Sequence, residues 1–417
     1  MPYHIIIMYA HKKLYGLMIG AVLLAGCSQD DVAIEVTPEE PVALNFSITE
    51  AETNYTDAST RAGQTGAMNT EDLYTTGFGA MASVTAGSPP TYDNKPNLMY
   101  NQEVEYTHVG DMEPPLTGYW SYQPVKYWPT DLTHCYISAY APYMDPADLE
   151  GLPADATGII GLSANSEPPY VVYRRCEQPN EVVDLLWYYK DFVNESGDTE
   201  DIPDAGILNM KMRHALARLE IKVALASDVV LDPVTTKVLI EKITLTGQMA
   251  KTGQLHLYEQ ETETVGEGPE AVTKYYPIWS GQTYDLDHSI QIKNVDNDDA
   301  SYGIIDSQVR YIEGMPYSWQ PAGLKVYNPS APEGTDDGMR NALSTGDRTG
   351  YVYLIPQDNL ELTVTVKYHK VTSGSDVPGV KTTESTLHIP PKPSEEAPYP
   401  PLKGNTRYTL NLTLSGI

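Results

Sequence analysis

From Leu73 to Leu414 the sequence is a long succession of short strand-like runs separated by turn residues, and no stretch sustains a 3.6-residue period. A period of two places alternate side chains on one face of an extended strand, whereas a period of 3.6 builds a helix face. Many short strands at this spacing restrict the chain to sheets packed face to face, an all-β architecture of sandwiches. The runs fall at Tyr74 to Val84, Leu98 to Thr107, His134 to Ala141, Val182 to Phe192, Val238 to Thr246, Gln254 to Glu259, Ile290 to Val295, Val309 to Ile312, Tyr351 to Ile355, Leu360 to Tyr368 and Tyr408 to Leu414. A composition of 31 Tyr against 3 Phe, rich in Thr, Val, Gly and Pro, agrees with strands and turns.

Met210 to Leu225 alternates in two phases. Met210, Met212, His214 and Leu216 share one face, Leu219, Ile221, Val223 and Leu225 the other, and a strand with a bulge near Ala217-Arg218 reconciles them. The polar, Pro-containing stretch that follows reads as a linker at 227–235, between an N-terminal sandwich at 62–226 and a C-terminal one at 236–417. A length of 417 residues suits two such domains once a leader is removed. Pro390 to Pro401 cannot pair in a ladder and reads as an edge-running segment before the last strand.

The leader is residues 1–26. Lys12 and Lys13 precede the mainly apolar run Leu14 to Leu24, the charge and length of a signal peptide and too short to span a bilayer. Ile5, Ile6 and Ile7 are atypical of a charged n-region, and Met8 is an alternative start. The run ends in Leu24-Ala25-Gly26-Cys27, which resembles a bacterial lipobox, where the cysteine thiol is acylated. The acidic Ser28 to Asp31 that follows is similar to tracts found in surface-exported lipoproteins.

Residues 27–61 contain one alternating segment, with Val42, Leu44, Phe46 and Ile48 on one face and Ala43, Asn45 and Ser47 on the other. Beyond it a polar stretch leads to Arg61-Ala62, and a basic residue in such a loop suits a trypsin-like protease. On composition alone the plain reading, a first strand followed by a surface arginine, is favoured.

Formal net charge is −29. A dispersed acidic surface repels phosphates and anionic lipid heads, so nucleic acid is excluded as a partner and the membrane is reached only through the precursor lipid. Cys135 and Cys176 are too few for a disulfide framework, and their spacing leaves open whether they are bridged. Asp296-Asn297-Asp298 begins like a calcium loop, but Ala300 and Ser307 stand where ligands are needed. The histidines are scattered, His214 reads as a packed core residue, and neither a phosphate loop nor a nucleophile elbow occurs. Neither cofactor, metal nor enzymatic activity is expected. Tyr119-Trp120, Tyr122, Tyr127-Trp128 and Trp187-Tyr188-Tyr189 are candidates for stacking on sugar rings or for sandwich packing.

The lipobox at Cys27, Leu44 to Ser47 followed by Thr60-Arg61-Ala62, Phe78 to Ser83, Tyr127-Trp128-Pro129, Ser138 to Tyr143, Met212 to Val223 and Gly404 to Leu414 together resemble the fimbrillin family. That family forms the subunits of protease-processed type V pili, and the likeness extends to its minor-fimbrillin-like branch. The resemblance implies two tandem transthyretin-like β-sandwich domains behind a removable propeptide strand. It further implies a lipoprotein precursor at the outer membrane, an arginine-specific surface protease that cuts between Arg61 and Ala62, and Val42, Leu44, Phe46 and Ile48 as a plug. The emptied groove would then take a strand from another pilus subunit, satisfying its backbone and its apolar pockets together. The final product is a surface pilus supporting adhesion to a host or bacterial surface ligand.

Two other readings are a surface glycan-binding lipoprotein and a pilus anchor, both of which keep the lipid. The last strand, with Tyr408, Leu410, Leu412 and Leu414, stops three residues before Ile417. Three residues span about 10 Å, so the strand cannot both complete its own domain and fill a neighbour's groove. Either the whole strand is released, with Pro390 to Pro401 as the hinge, or the subunit accepts a strand and donates none, and the second, a place at the pilus tip, is the favoured expectation.

Overall fold

The alternation is realised as strands almost everywhere. The computed structural model describes residues 42–52, 68, 70–85, 95–110, 118–129, 134–176, 182–193, 203, 206–225, 236–293, 318–319, 352–372 and 379–414. All of them belong to the unit Pro41–Ile417.

The first sheet uses β1 (Asn45–Glu52), β2 (Phe78–Thr85), β3 (Met99–His108), β4 (Gly118–Ser121), β5 (His134–Ala141), β8 (Leu186–Val193) and β9 (Ile207–His214), with α1 (Thr70–Thr76) ahead of β2. Its order is β1-β9-β8-β5-β2-β3-β4. Tyr74, placed by alternation in a strand, lies instead in α1. Leu73, fully buried, explains the turn of helix: it drops into the core under β2. The sheet curls until the chain just ahead of β1 meets the segment after β4, where Ala43 bridges Tyr127. The curl encloses Leu44, Phe46, Ile48, Phe78, Ile137, Met210 and their neighbours.

Along β2 both faces are buried. Phe78, Ala80 and Ala82 face the enclosed core, and Met81 faces a second core on the outside. A second sheet, ordered β16-β15-β11-β7-β6, supplies the cover. It comprises β6 (Gly158–Leu162), β7 (Tyr170–Arg174), β11 (Thr236–Val265), β15 (Leu360–Thr372) and β16 (Gly379–Ile389), while β12 (Val272–Lys293) pairs with β11. Between β5 and β6 lies α2 (Pro146–Glu150), capped by the Asp145 carboxylate, which accepts from Ala147 N. The separate runs at Val238 and Gln254 merge into the single long β11, which pairs with β15 along its first half and with β7 further on.

The third sheet is built on β10 (Ala217–Leu225), flanked by β13 (Ser318–Trp319) and β14 (Val352–Leu354) on one side and by β17 (Thr406–Leu414) on the other. It packs on β11, β15 and β16 through Leu219, Ile221, Leu245, Leu362, Val364, Leu410 and Leu412, a sheet-on-sheet core.

The two phases of Met210 to Leu225 are two strands in two sheets. The chain crosses between them at Ala215-Leu216, both buried in the middle core. A bulge is therefore unnecessary, and the motif resembling fimbrillins is the run that joins the sheets. The linker at 227–235, Val309 to Ile312 and Asp296 to Asp298 lie outside the described residues. Cys135 and Cys176 are free, buried, and in different cores.

Candidate functional site

The segment foreseen as a plug, Val42 to Ile48, covers the first half of β1 and the three residues ahead of it, and its seat can be built residue by residue. Leu44, Phe46 and Ile48 are 0%, 5% and 7% exposed, while Val42 is 42% exposed. The inward face thus runs over three residues, with Val42 at the rim. Phe46 meets Phe78 edge-on and Tyr122 at a tilt, each with ring centroids 5.5 Å apart.

On one side β1 runs parallel to β9, from Asn45 opposite Ile207 to Glu52 opposite Arg213, with a register shift after Ile48. Every other pairing of this sheet among the described residues is antiparallel. On the other side lies residues 122–128. Leu44 N donates to Lys126 O at 2.9 Å, Trp128 N to Val42 O at 2.8 Å, and the Tyr122 hydroxyl to Leu44 O at 2.6 Å. Burial raises the Tyr122 phenol above its ordinary range, which keeps that donor protonated.

The two walls also hold each other. The Trp128 indole N–H donates to Gly206 O at 2.9 Å, and the ring packs edge-on against Phe192 at 5.2 Å. Gly206 has φ +70°, and a Cβ there would stand 2.2 Å from Ala43 O, so β1 passes too close for any side chain. Strand alternation pointed to β1 but not to Tyr122, Trp128 or Gly206, whose roles depend on contacts between distant segments.

At the other end of the crossing run, β17 repeats the arrangement. It lies parallel to β10, register Ala217 to Leu225 against Thr406 to Leu414, with Leu410, Leu412 and Leu414 in the core. Tyr408 is partly buried and its hydroxyl accepts from Lys403 N at 2.8 Å. First and last strands thus flank the two halves of one continuous stretch.

Cys27, Arg61 and Ala62 lie outside the described residues. Among the described residues no three His, Cys, Asp or Glu side chains converge to hold a metal ion, and no helix is long and apolar enough to cross a membrane. Of the aromatics suited to sugar stacking, Tyr122, Trp128, Trp187 and Tyr188 are core residues, and Trp120 packs on Phe78 and Tyr106; Tyr119 and Tyr127 are exposed.

No curated protein matches the sequence. Among solved structures the chain is similar to a candidate cell adhesion protein of Bacteroides uniformis, with 10% identity, TM-score 0.33, and coverage of 84% of this chain and 98% of that one. A second, from Bacteroides ovatus, has 12% identity, TM-score 0.33, and coverage of 90% and 92%. The fimbrial anchor protein Mfa2 of Porphyromonas gingivalis has 10% identity, TM-score 0.20, and coverage of 58% and 76%. The model of the fimbrillin-like family matches residues 60–320, more than half of the sequence, and the chain therefore belongs to the fimbrillin-like family.

Proposed function

We propose that this chain is a structural subunit of a bacterial surface pilus, exported as a lipoprotein acylated at Cys27, cut between Arg61 and Ala62, and assembled by exchanging β1 for a strand of another subunit. The observation that carries the reading is the seat of β1. An amphipathic segment fills an apolar groove: residues 42–44 hydrogen-bond to residues 122–128, β1 then pairs with β9, and Phe78 and Tyr122 pack against Phe46 from below. Removing it would uncover the apolar groove that receives Leu44, Phe46 and Ile48 and leave β9 and residues 122–128 without their backbone partners, the condition under which a foreign strand binds. Two further points support the reading: the family match begins at residue 60, beside Arg61, and the lipobox precedes the strand. The role is that of a scaffold protein, without catalysis or cofactor, whose partners are other pilus subunits and the arginine-specific protease.

N-terminal sequencing of the protein taken from cell surfaces tests this. The mature chain should begin at Ala62, and Arg61→Ala should leave a longer lipoprotein that fails to enter filaments. A surface protein beginning at Cys27 in wild-type cells would refute polymerisation and leave the anchor or the glycan-binding lipoprotein.

A further inference from the structure

Asp184 is fully buried and His214 is 1% exposed. One oxygen of Asp184 accepts from Leu185 N at 2.9 Å; the other accepts from Met68 N at 3.0 Å and lies 2.5 Å from His214 Nδ1. A carboxylate taken out of water costs several kcal/mol unless donors surround it, and three donors converge here. Two come from fixed framework. Leu185 precedes β8, and His214 ends β9, where it pairs with Leu186 while Ala215 N donates to Leu185 O at 2.7 Å.

The third donor, Met68, lies 116 residues away in sequence from Asp184. Its side chain is 3% exposed in the core beneath β1, and α1 follows, with Leu73 in the same core and Gly77 N closing the turn on Leu73 O at 2.9 Å. The buried pair therefore grips the chain between the scissile Arg61-Ala62 bond and the first element of the mature fold.

We propose that Asp184 and His214 form a clasp that pins the backbone at Met68, so that a cut at Arg61 frees β1 without unravelling α1 and the floor of the groove. A cut turns everything after it into a chain end, and chain ends fray unless tied down. The clasp is the tie: it acts on Met68 N, and through Met68 and Leu73 it keeps the apolar floor in place for the incoming strand. Asp184 and His214 are positioning residues. The inference rests on cleavage after Arg61, and its test is independent of whether cells make that cut.

The full chain is cut at Arg61 in vitro with an arginine-specific protease, the new N-terminus is verified, and hydrogen exchange of peptides spanning 68–76 is followed before and after. In the wild type these peptides should stay protected after the cut. Asp184→Asn and His214→Ala should leave the uncut chain protected along β15 and β16, yet raise exchange at 68–76 at least ten-fold once the chain is cut. Equal exchange in variants and wild type after the cut would overturn the clasp. So would rapid exchange at 68–76 in the cut wild type, a measurement that decides the matter even where a variant fails to fold.

Discussion

Phe46→Ala is the sharpest probe of the strand seat. The ring is 5% exposed, sits between Phe78 and Tyr122 at 5.5 Å from each, and is flanked along the chain by Leu44 and Ile48, buried in the same core. Deleting a buried Phe side chain costs about 3–5 kcal/mol, of which each lost aromatic pair accounts for roughly 0.5–1.5. In the uncut chain this should appear as a loss of about that size in denaturant unfolding, with the m-value unchanged. In a chain cut at Arg61 the same energy separates two fragments, so the propeptide should be held roughly a hundredfold to a few thousandfold more weakly, at about 1.4 kcal/mol per factor of ten. Size-exclusion of the cut protein, with the propeptide fraction read by mass spectrometry, measures this. A loss under about 1 kcal/mol, or propeptide retained equally by both proteins, would mean that Phe46 is not a core residue and that the groove reading is wrong.

Gly206→Ala places a Cβ 2.2 Å from Ala43 O in a backbone of φ +70°, and should loosen β1 well beyond the about 1–2 kcal/mol of left-handed strain alone; Gly268→Ala, φ +65° with nothing within 4 Å, should show only that strain. Comparing the two by the loss of unfolding free energy in the uncut chain tests the close approach. Tyr122→Phe removes the 2.6 Å bond to Leu44 O, leaves a buried carbonyl short of a donor, and should cost about 1–3 kcal/mol in unfolding experiments. Burial, assisted by the Asp191 charge, raises the Cys135 thiol from 9.0 to about 12, and burial raises the Tyr188 phenol from 10.0 to about 12. The folded state thus holds protons that the unfolded chain releases, so stability is full below about pH 9 and declines as pH rises toward 12. Thermal melts between about pH 8 and 11, bounds set by those thiol and phenol values, should show a level Tm up to about pH 9 and a fall above it, and a profile flat throughout would contradict the burial of both groups.

Much of the fold was legible because strand alternation is a local signal. His134 to Ala141 is β5, Leu360 to Tyr368 lies within β15, and Tyr408 to Leu414 lies within β17; β5 is buried on both faces, and Leu360, Leu362, Val364, Val366 and Tyr368 line one core. Tyr74 was misread because α1 is too short for a 3.6 period to show, and among its described side chains Leu73 is the one fully buried. The phase change at Ala215-Leu216 was visible, yet its meaning was not: a bulge and a passage between sheets both reverse the phase, and only the partners distinguish them. β6 and β7 escaped notice, since Gly158 to Leu162 and Tyr170 to Arg174 are brief and their cover comes from β11, far along the chain. For the site, alternation marked Val42 to Ile48 as a half-buried strand. Its walls were invisible because Trp128 and Gly206 meet across 78 residues of sequence.

The position of β17 decides whether this strand could serve another chain. Leu410, Leu412 and Leu414 are each at most 9% exposed, and burying such side chains stabilises by about 1.5–3 kcal/mol apiece. The strand also pairs with β10 over its whole length, while the turn before it is tied to the crossing run by Asn405 N donating to Leu216 O at 3.2 Å. If β17 left to fill another copy's β1 groove, it would bury about as much there as it exposed at home, and the core against β11 and β15 would stand open. Burial would be no better than balanced, and association costs about 4 kcal/mol or more on top. Full chain cut at Arg61 and freed of its propeptide should therefore remain monomeric by itself, and should bind a separately supplied amphipathic strand peptide, with Leu or Phe at alternate positions, through the groove between β9 and residues 122–128. Light scattering and peptide titration read the two halves. Filaments growing from this protein alone would show that β17 leaves its sandwich after all, and that the opened core against β11 and β15 is closed by a contact between subunits.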